Sequence, residues 1–169
     1  MIIENAALFI FPALMAFAAS SDLLTMTISN RISIALVVCF FALAAAVQMP
    51  LNDVLYSVGC ALLVLTIAFG LFCLGWIGGG DAKLAASTTL WLGWPHLMDY
   101  GLVASVFGGI LTIVLIQLRR WPLPQSMLRH QWVARLHAPD SGVPYGIALA
   151  AAGIVIYPHS QLWRMAIGT

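Results

Sequence analysis

Apolar runs fill most of the chain, and short polar breaks that carry the charged residues separate them. A helix that crosses a membrane needs roughly 20 mainly apolar residues. Five of the runs are long enough, and the shorter run at 84–98 predicts a short or tilted helix that extends from Gly80 to Pro95. The pattern therefore predicts an all-α polytopic integral membrane protein with six transmembrane helices. The runs are 5–21, 32–52, 54–80, 84–98, 100–118 and 141–163.

The composition agrees with this class. Hydrophobic residues make up 62% of the 169 residues and charged residues only 8%, and the mean hydropathy is +1.00. A soluble domain carries about 25% charged residues, so the composition excludes a soluble globular domain, a disordered chain and a nucleic-acid binder that depends on dense positive charge. The three cysteines lie in apolar runs without a C-x-x-C pair, so we expect neither a disulfide framework nor a metal site.

The basic residues predict the orientation of the helices. Arg31 lies on the first loop, Lys83 on the third and four arginines on the fifth, which leaves Arg164 on the opposite side. By the positive-inside rule these three loops face the cytoplasm, and both termini lie on the non-cytoplasmic side. Because no basic residue precedes Arg31, the first run is interpreted as a permanent helix rather than a cleaved signal peptide. Residues 1–169 are interpreted as one membrane-embedded domain.

Two further features concern the membrane surface. The longest loop, 119–144, has apolar residues at helical spacing, and two interpretations remain open: a short amphipathic helix on the inner leaflet, or a solvated connector whose charges fix the topology. These apolar residues are Leu128, Trp132, Val133 and Leu136. Aromatic residues near the predicted segment ends are interpreted as an interfacial belt. They are Trp76, Trp91, Trp94, Tyr100, Trp121, Tyr145, Tyr157 and Trp163.

Two acidic residues differ from the other four, which lie at ordinary segment edges. Asp22 directly follows the first apolar run, and Asp81 follows the three glycines at 78–80. The predicted topology gives both the same cytoplasmic boundary and a similar depth. Ionisable groups at the membrane are costly to desolvate, so both are candidate functional residues, with a helix cap or a solvated position as the alternative for each.

The surroundings of the two aspartates are expected to differ. The glycines at 78–80 leave the backbone open to something that approaches closely, such as an extended peptide. Asp81 then restarts a helical pattern at the predicted N-cap, where the helix dipole and Lys83 favour its ionised form. Asp22 ends an apolar helix, where desolvation favours its neutral form. Two carboxyl groups in opposed environments can share one proton and activate water, as in an aspartic peptidase.

Three stretches resemble one family of membrane proteases. Gly78, Gly80 and Asp81 match the G-x-G-D signature of intramembrane aspartic proteases, and Gly-Gly-Gly-Asp-Ala-Lys-Leu at 78–84 looks like the type IV prepilin peptidase form of it. The stretch 22–31 resembles the segment around the family's first catalytic aspartate, with Ser29 where the family usually has proline. The stretch 142–148 is similar to the start of the family's last conserved helix.

The resemblance implies a multi-pass peptidase of the bacterial inner membrane. It implies that the enzyme removes the short basic leader from type IV or Flp-type prepilins or pseudopilins at the cytoplasmic face, without a cofactor and with the bilayer as its other partner. Asp22 and Asp81 are the implied catalytic pair. The implied supporting residues are Gly78, Gly79, Gly80, Lys83, Asn30 and Arg31.

The short length before Asp22 separates this chain from the larger members of that family. Bifunctional members carry a cysteine-rich cytoplasmic region and methylate the new pilin N-terminus, whereas Asp22 comes too early for such a region. We therefore predict cleavage without methylation, as in the short Cpa/Tad-type members. The alternative from another class is a non-enzymatic membrane transporter or a pilus-assembly subunit, since a broken, glycine-rich segment at membrane depth also occurs in transporters.

Overall fold

The computed structural model describes the backbone of residues 2–168 and the side chains of residues 7–168. Over this range the regular structure is entirely helical, which confirms the predicted all-α class. The long helices follow the predicted apolar runs, and short 3-10 turns occupy Trp94–His96 and Tyr157–His159. The helices are α1 (Ile2–Thr25), α2 (Asn30–Ala46), α3 (Leu51–Cys73), α4 (Gly79–Leu92), α5 (Leu97–Arg120), α6 (Gln125–Leu128), α7 (Gln131–His137), α8 (Tyr145–Ile156) and α9 (Gln161–Ile167).

Several helices have the character of membrane segments. Three are long and apolar enough to cross a bilayer: Ala7–Thr25, Leu51–Cys73 and Trp94–Arg120. Asn30–Ala46 and Tyr145–His159 are shorter apolar helices. The chain is therefore assigned to the membrane proteins. The count of six spans and the sides of the two termini, whose end residues 1 and 169 lie outside the described range, stay predictions.

The central helix of the bundle is α4, which is also the shortest of the predicted spans. It packs against α2, α3 and α8, and most of its residues from Leu84 to Leu92 are buried. Its hydroxyl groups bond to carbonyl oxygens of its own preceding turn, as Thr88 Oγ1 does to Leu84 O at 2.8 Å. Because protein surrounds α4, this helix does not need the length or hydropathy of a helix that faces lipid.

An aromatic cluster fixes the C-terminal end of α4. Trp91 Nε1 donates a hydrogen bond to Leu36 O at 3.0 Å, and Tyr157 OH donates to Ala7 O at 3.1 Å. The ring of Phe11 contacts both, with centroid distances of 5.1 Å to Trp91 and 4.4 Å to Tyr157. These contacts tie α4 to α1, α2 and the end of α8.

The predicted interfacial belt is wrong for three of its members. Trp91, Tyr100 and Tyr157 are buried in the core, whereas Trp76 and Trp121 are well exposed. An aromatic residue with a polar atom suits a membrane interface, but it suits a packed interior equally well when a carbonyl oxygen accepts its hydrogen bond, as for Trp91 and Tyr157. Hydropathy along the chain does not separate these two positions.

The 119–144 loop forms two short helices instead of one. The helical structure is interrupted between α6, which ends at Leu128, and α7. Leu128 therefore does not share a helix with Trp132 and Leu136. Val133 is buried, and α7 packs against α1 and α5. The predicted amphipathic element is therefore reduced to α7, and its contact with lipid stays a prediction.

Candidate active site

Asp22 lies in the last turn of α1, which agrees with its predicted position at the end of an apolar helix. The apolar run stops at Ser21, whereas α1 continues to Thr25, and the N–H of Met26 closes the last turn on Asp22 O at 2.8 Å. The side chain of Asp22 is only 5% exposed. An acid is thus buried in the last turn of an apolar helix, where it needs a specific hydrogen bond to offset its lost hydration.

The start of α8 supplies that hydrogen bond. The backbone N–H of Gly146 donates to Asp22 Oδ2 at 2.7 Å. Pro144 precedes α8, so Gly146 is the second residue of the helix, and its N–H has no partner within the helix. The positive end of the α8 dipole therefore also points at this carboxyl group, which favours a negative charge there.

Asp81 lies in the first turn of α4. The structure has Gly78 at the N-cap and starts the helix at Gly79, so the prediction that Asp81 is the N-cap residue is wrong. Its carboxyl group folds back toward Gly78: a Cβ atom added to Gly78 would lie 3.0 Å from Asp81 Oδ2. Like Asp22, Asp81 is therefore close to the positive end of a helix dipole.

The backbone at Gly80 is approached closely by a side chain of the protein itself, Ile28. Ile28, in the connection between α1 and α2, would lie 3.1 Å (Cβ) and 3.4 Å (N) from a Cβ atom on Gly80. The same side chain would lie 2.7 Å from a Cβ atom on Gly146, through its Cδ1. Ile28 is thus wedged between the N-terminal turns of α4 and α8. The sequence pattern predicts the close approach at Gly80 but not the residue that makes it.

The fold brings the two aspartates together at one end of the bundle. Asp22 and Ile28 both lie against Gly146, and Ile28 also lies against Gly80, the residue before Asp81. The aspartates reach this arrangement from α1 and α4 by packing around α8 and Ile28. Among the described side chains, neither carboxyl group forms an ion pair with a basic residue within 4 Å. Their catalytic role stays a prediction.

A cavity of about 660 Å³ opens beside Asp81. Asp22 is buried and does not line it, so Asp81 is the member of the pair that faces the open space. The walls come from the turn that precedes α4 and from the start of α8. The wall residues other than Asp81 are Gly75, Trp76, Ile77, Gly78, Ala85, Gly142, Val143, Tyr145 and Leu149. This space can hold a peptide segment next to a carboxyl group.

Of the predicted supporting residues, Lys83 and Asn30 bond to each other, and Arg31 takes part in a helix cap. Lys83 Nζ donates to Asn30 Oδ1 at 2.8 Å, which joins α4 to the start of α2. Lys83 was expected to favour the ionised form of Asp81, but its ammonium group bonds to Asn30 instead. The N–H of Arg31 donates to Ser29 Oγ at 3.3 Å and so caps α2, while the Arg31 side chain is exposed. In the part of the chain whose side chains are described, no cluster of three or more histidine, cysteine or acidic residues could hold a metal ion.

The sequence of the chain matches one known protein family. The family model described as "Type IV leader peptidase family" matches residues 9–113, which include both aspartates and the glycines before Asp81. The chain belongs to the type IV leader peptidase family. Membership identifies it as a leader-peptidase-like membrane protease. Searches of curated proteins and of solved structures gave no match.

Three residues around the candidate site carry no side-chain chemistry or motif position that marks them as site residues in the sequence. Gly146 and Ile28 carry no chemistry in their side chains, and their role comes from where the backbone passes. Tyr145 lines the cavity while its ring lies against Gly108, where an added Cβ atom would be 2.5 Å from Tyr145 Cε1. The only signal for Gly146 and Tyr145 is the resemblance of 142–148 to the family, and the family match itself ends at residue 113.

Proposed function

We propose that the chain is an aspartic endopeptidase that removes the short basic leader from type IV or Flp-type prepilins or pseudopilins. The observation that carries this proposal is that Asp22 and Asp81 lie on either side of Ile28 at one end of the bundle, with Asp81 lining a cavity. Family membership supports a peptidase over the transporter and assembly-subunit alternatives. The aspartic mechanism and the substrate class are the parts that need testing.

The proposed mechanism assigns a different role to each carboxyl group. Asp22 accepts the Gly146 hydrogen bond and is the ionised member, which reverses the sequence-based expectation. It takes a proton from a water molecule as the water oxygen bonds to the scissile carbonyl carbon. Asp81, protonated and next to the cavity, donates its proton to the carbonyl oxygen.

Collapse of the resulting diol completes the reaction. The proton on Asp22 passes to the leaving nitrogen as the carbon–nitrogen bond breaks, and a diol hydroxyl returns a proton to Asp81. The products are a carboxylic acid and a free amine, and the pair again holds one proton. The step therefore consumes one water molecule and needs neither a metal ion nor another cofactor.

The basic residues support cleavage at the cytoplasmic face. Three basic residues lie at the same end of the bundle as the aspartates: Lys83 contacts Asn30, Arg135 contacts Leu24 O, and Arg119 contacts Gly142 O in the cavity wall. The positive-inside rule assigns that end to the cytoplasm. The leader would then reach the cavity from the cytoplasm while the apolar helix of the substrate stays in the bilayer.

The test is co-expression with a candidate prepilin, read as the shift in prepilin size. Asp22→Asn and Asp81→Asn should each abolish cleavage, because neither an amide nor a lone carboxyl group can share the proton. Asp99→Asn is the matched control, since Asp99 is an acid near a helix start at a distance from the pair. Cleavage at the parental rate by either active-site variant would refute the aspartic mechanism.

Absence of methylation is tested separately. Purified protein incubated with cleaved pilin and labelled S-adenosylmethionine should transfer no methyl group, because the sequence has no C-x-x-C pair with which to build the cysteine-rich region of the bifunctional members. Label in the pilin would overturn this part of the proposal and leave the peptidase part unaffected.

A further inference from the structure

Arg119 makes three contacts with one short stretch of chain. Near the end of α5, its Nε donates to Leu136 O, and its Nη2 donates to Ser141 Oγ and to Gly142 O, each at 2.8 Å. These hydrogen bonds are charge-assisted and therefore roughly twice as strong as neutral ones. A planar guanidinium group is suited to hold several acceptors in one fixed geometry, which a lysine cannot do.

The stretch that Arg119 holds leads directly into the candidate active site. It connects α7 to α8 and has no regular helix of its own over residues 138–144. Gly142 and Val143 form part of the cavity wall beside Asp81. Four residues after Gly142 comes Gly146, whose N–H binds Asp22. Arg119 is thus bonded to a segment that forms part of the cavity wall and leads into the donor to one carboxyl group.

The positive-inside rule alone does not explain this position. Arg120 carries the same charge at the same membrane boundary, but it is exposed and its side chain forms no hydrogen bond among the described residues. A residue needed only for topology could behave like Arg120. The three acceptors around Arg119 indicate a role that depends on geometry as well as on charge.

We propose that Arg119 is a positioning residue of the peptidase: it fixes residues 136–142 and thereby the cavity wall and the start of α8. This inference rests on the proposed function of the Asp22 and Asp81 pair. It assigns a specific task to the basic loop, in addition to its part in topology. The neighbouring Arg120 provides the matched control within one helix turn.

The kinetic test uses the purified full chain in detergent with a synthetic prepilin. Arg119→Gln should lower kcat/KM about 10-fold to 100-fold, with a clear increase in KM, because the wall that contacts the peptide is no longer held. Arg119→Lys should recover part of this loss, since it keeps the charge and can make one of the contacts. Arg120→Gln should keep the parental kcat and KM.

A second measurement does not depend on activity. Hydrogen exchange of a peptide that covers residues 138–148 should be faster in Arg119→Gln than in the parent and unchanged in Arg120→Gln. Equal exchange in both variants, or a folded Arg119→Gln with parental KM, would overturn the positioning role. Cleavage by Asp22→Asn would refute the proposed aspartic mechanism but not the role of Arg119. The exchange measurement would still decide whether Arg119 holds residues 136–142.

Discussion

Gly146 offers the most direct test of how the site is held, because one methyl group there meets the proposed catalytic residue. A Cβ atom on Gly146 would lie 2.8 Å from Asp22 Oδ2 and 3.0 Å from Asp22 Cβ. It would also lie 2.7 Å from Ile28 Cδ1, the far end of a side chain that can rotate away. Gly146→Ala keeps the N–H, so the change tests space rather than the loss of a hydrogen-bond donor.

The expected effect on activity is larger than the effect on stability. An alanine forces the Asp22 carboxyl group to move by several tenths of an ångström, and a misplacement of about 1 Å can lower a rate about 100-fold. Overpacking costs about 1–3 kcal/mol, while replacement of glycine by alanine inside a helix returns about 0.5–1 kcal/mol. We therefore expect Gly146→Ala to lose about 10-fold to 100-fold in kcat and about 0–2.5 kcal/mol in the free energy of unfolding.

The assay measures prepilin cleavage and thermal unfolding on the same purified samples. Gly109→Ala is the control, because Gly109 lies in α5 with nothing within 4 Å of an added Cβ atom. It should keep the parental rate and gain about 0.5–1 kcal/mol of stability. Parental kcat in a folded Gly146→Ala would refute the reasoning that the start of α8 positions Asp22.

Three further predictions concern the pair and its surroundings. The cleavage rate should fall at both low and high pH, because Asp22 and Asp81 must share one proton; a flat profile over the range where the protein stays folded would contradict this. A double-mutant cycle of Lys83→Met and Asn30→Ala should give a coupling energy of about 1 kcal/mol in unfolding, and additive effects would show that their hydrogen bond contributes nothing. Ser29→Ala should lose about 0.5–1 kcal/mol of stability, because it removes the side-chain cap of α2. Ser29→Pro should keep parental stability, because φ of Ser29 is −64° and proline restricts the unfolded chain, which offsets the lost cap. Equal losses in both variants would be inconsistent with this.

The sequence was sufficient for the class of protein and for the two acids. Charges are scarce, so the apolar runs and the unusual positions of Asp22 and Asp81 are visible without a structure. Helix ends were harder to predict. The apolar run stops at Ser21 because the next residue is charged, but α1 continues to Thr25, and the N–H of Gly146 bonds to the Asp22 carboxyl group from outside the helix.

Contacts between distant parts of the chain account for what the sequence could not provide. The hydrogen bond of Gly146 to Asp22 spans 124 residues, and Ile28 contacts two glycines on different helices. Glycine in a pattern indicates that something approaches the backbone, but not what approaches it. Trp91 shows the same limit, because its position near a segment end fits both an interface and the core in which it is found.

The stability of the protein should also report on the acid pair. Among the described side chains no basic group within 4 Å compensates the charge of Asp22, and Asp22 is buried, so its ionised form loses hydration at a cost. Replacement by the similarly shaped amide removes this buried charge, while the amide oxygen of Asp22→Asn can still accept the Gly146 N–H. Asp22→Asn should therefore be inactive and yet about 0.5–2 kcal/mol more stable than the parent, as expected where activity requires a destabilised site.

Thermal unfolding at neutral pH in one detergent compares this variant with the parent and with Asp99→Asn. Asp99 is exposed and its carboxylate has only a 3.6 Å contact with His96 Nδ1, so its amide variant should unfold within about 0.5 kcal/mol of the parent. A melting temperature of Asp22→Asn below that of the parent would show that the carboxylate contributes more through its hydrogen bond than it loses through burial of its charge. The arrangement would then be a stabilising structural pair, and the argument that it is strained for catalysis would fail.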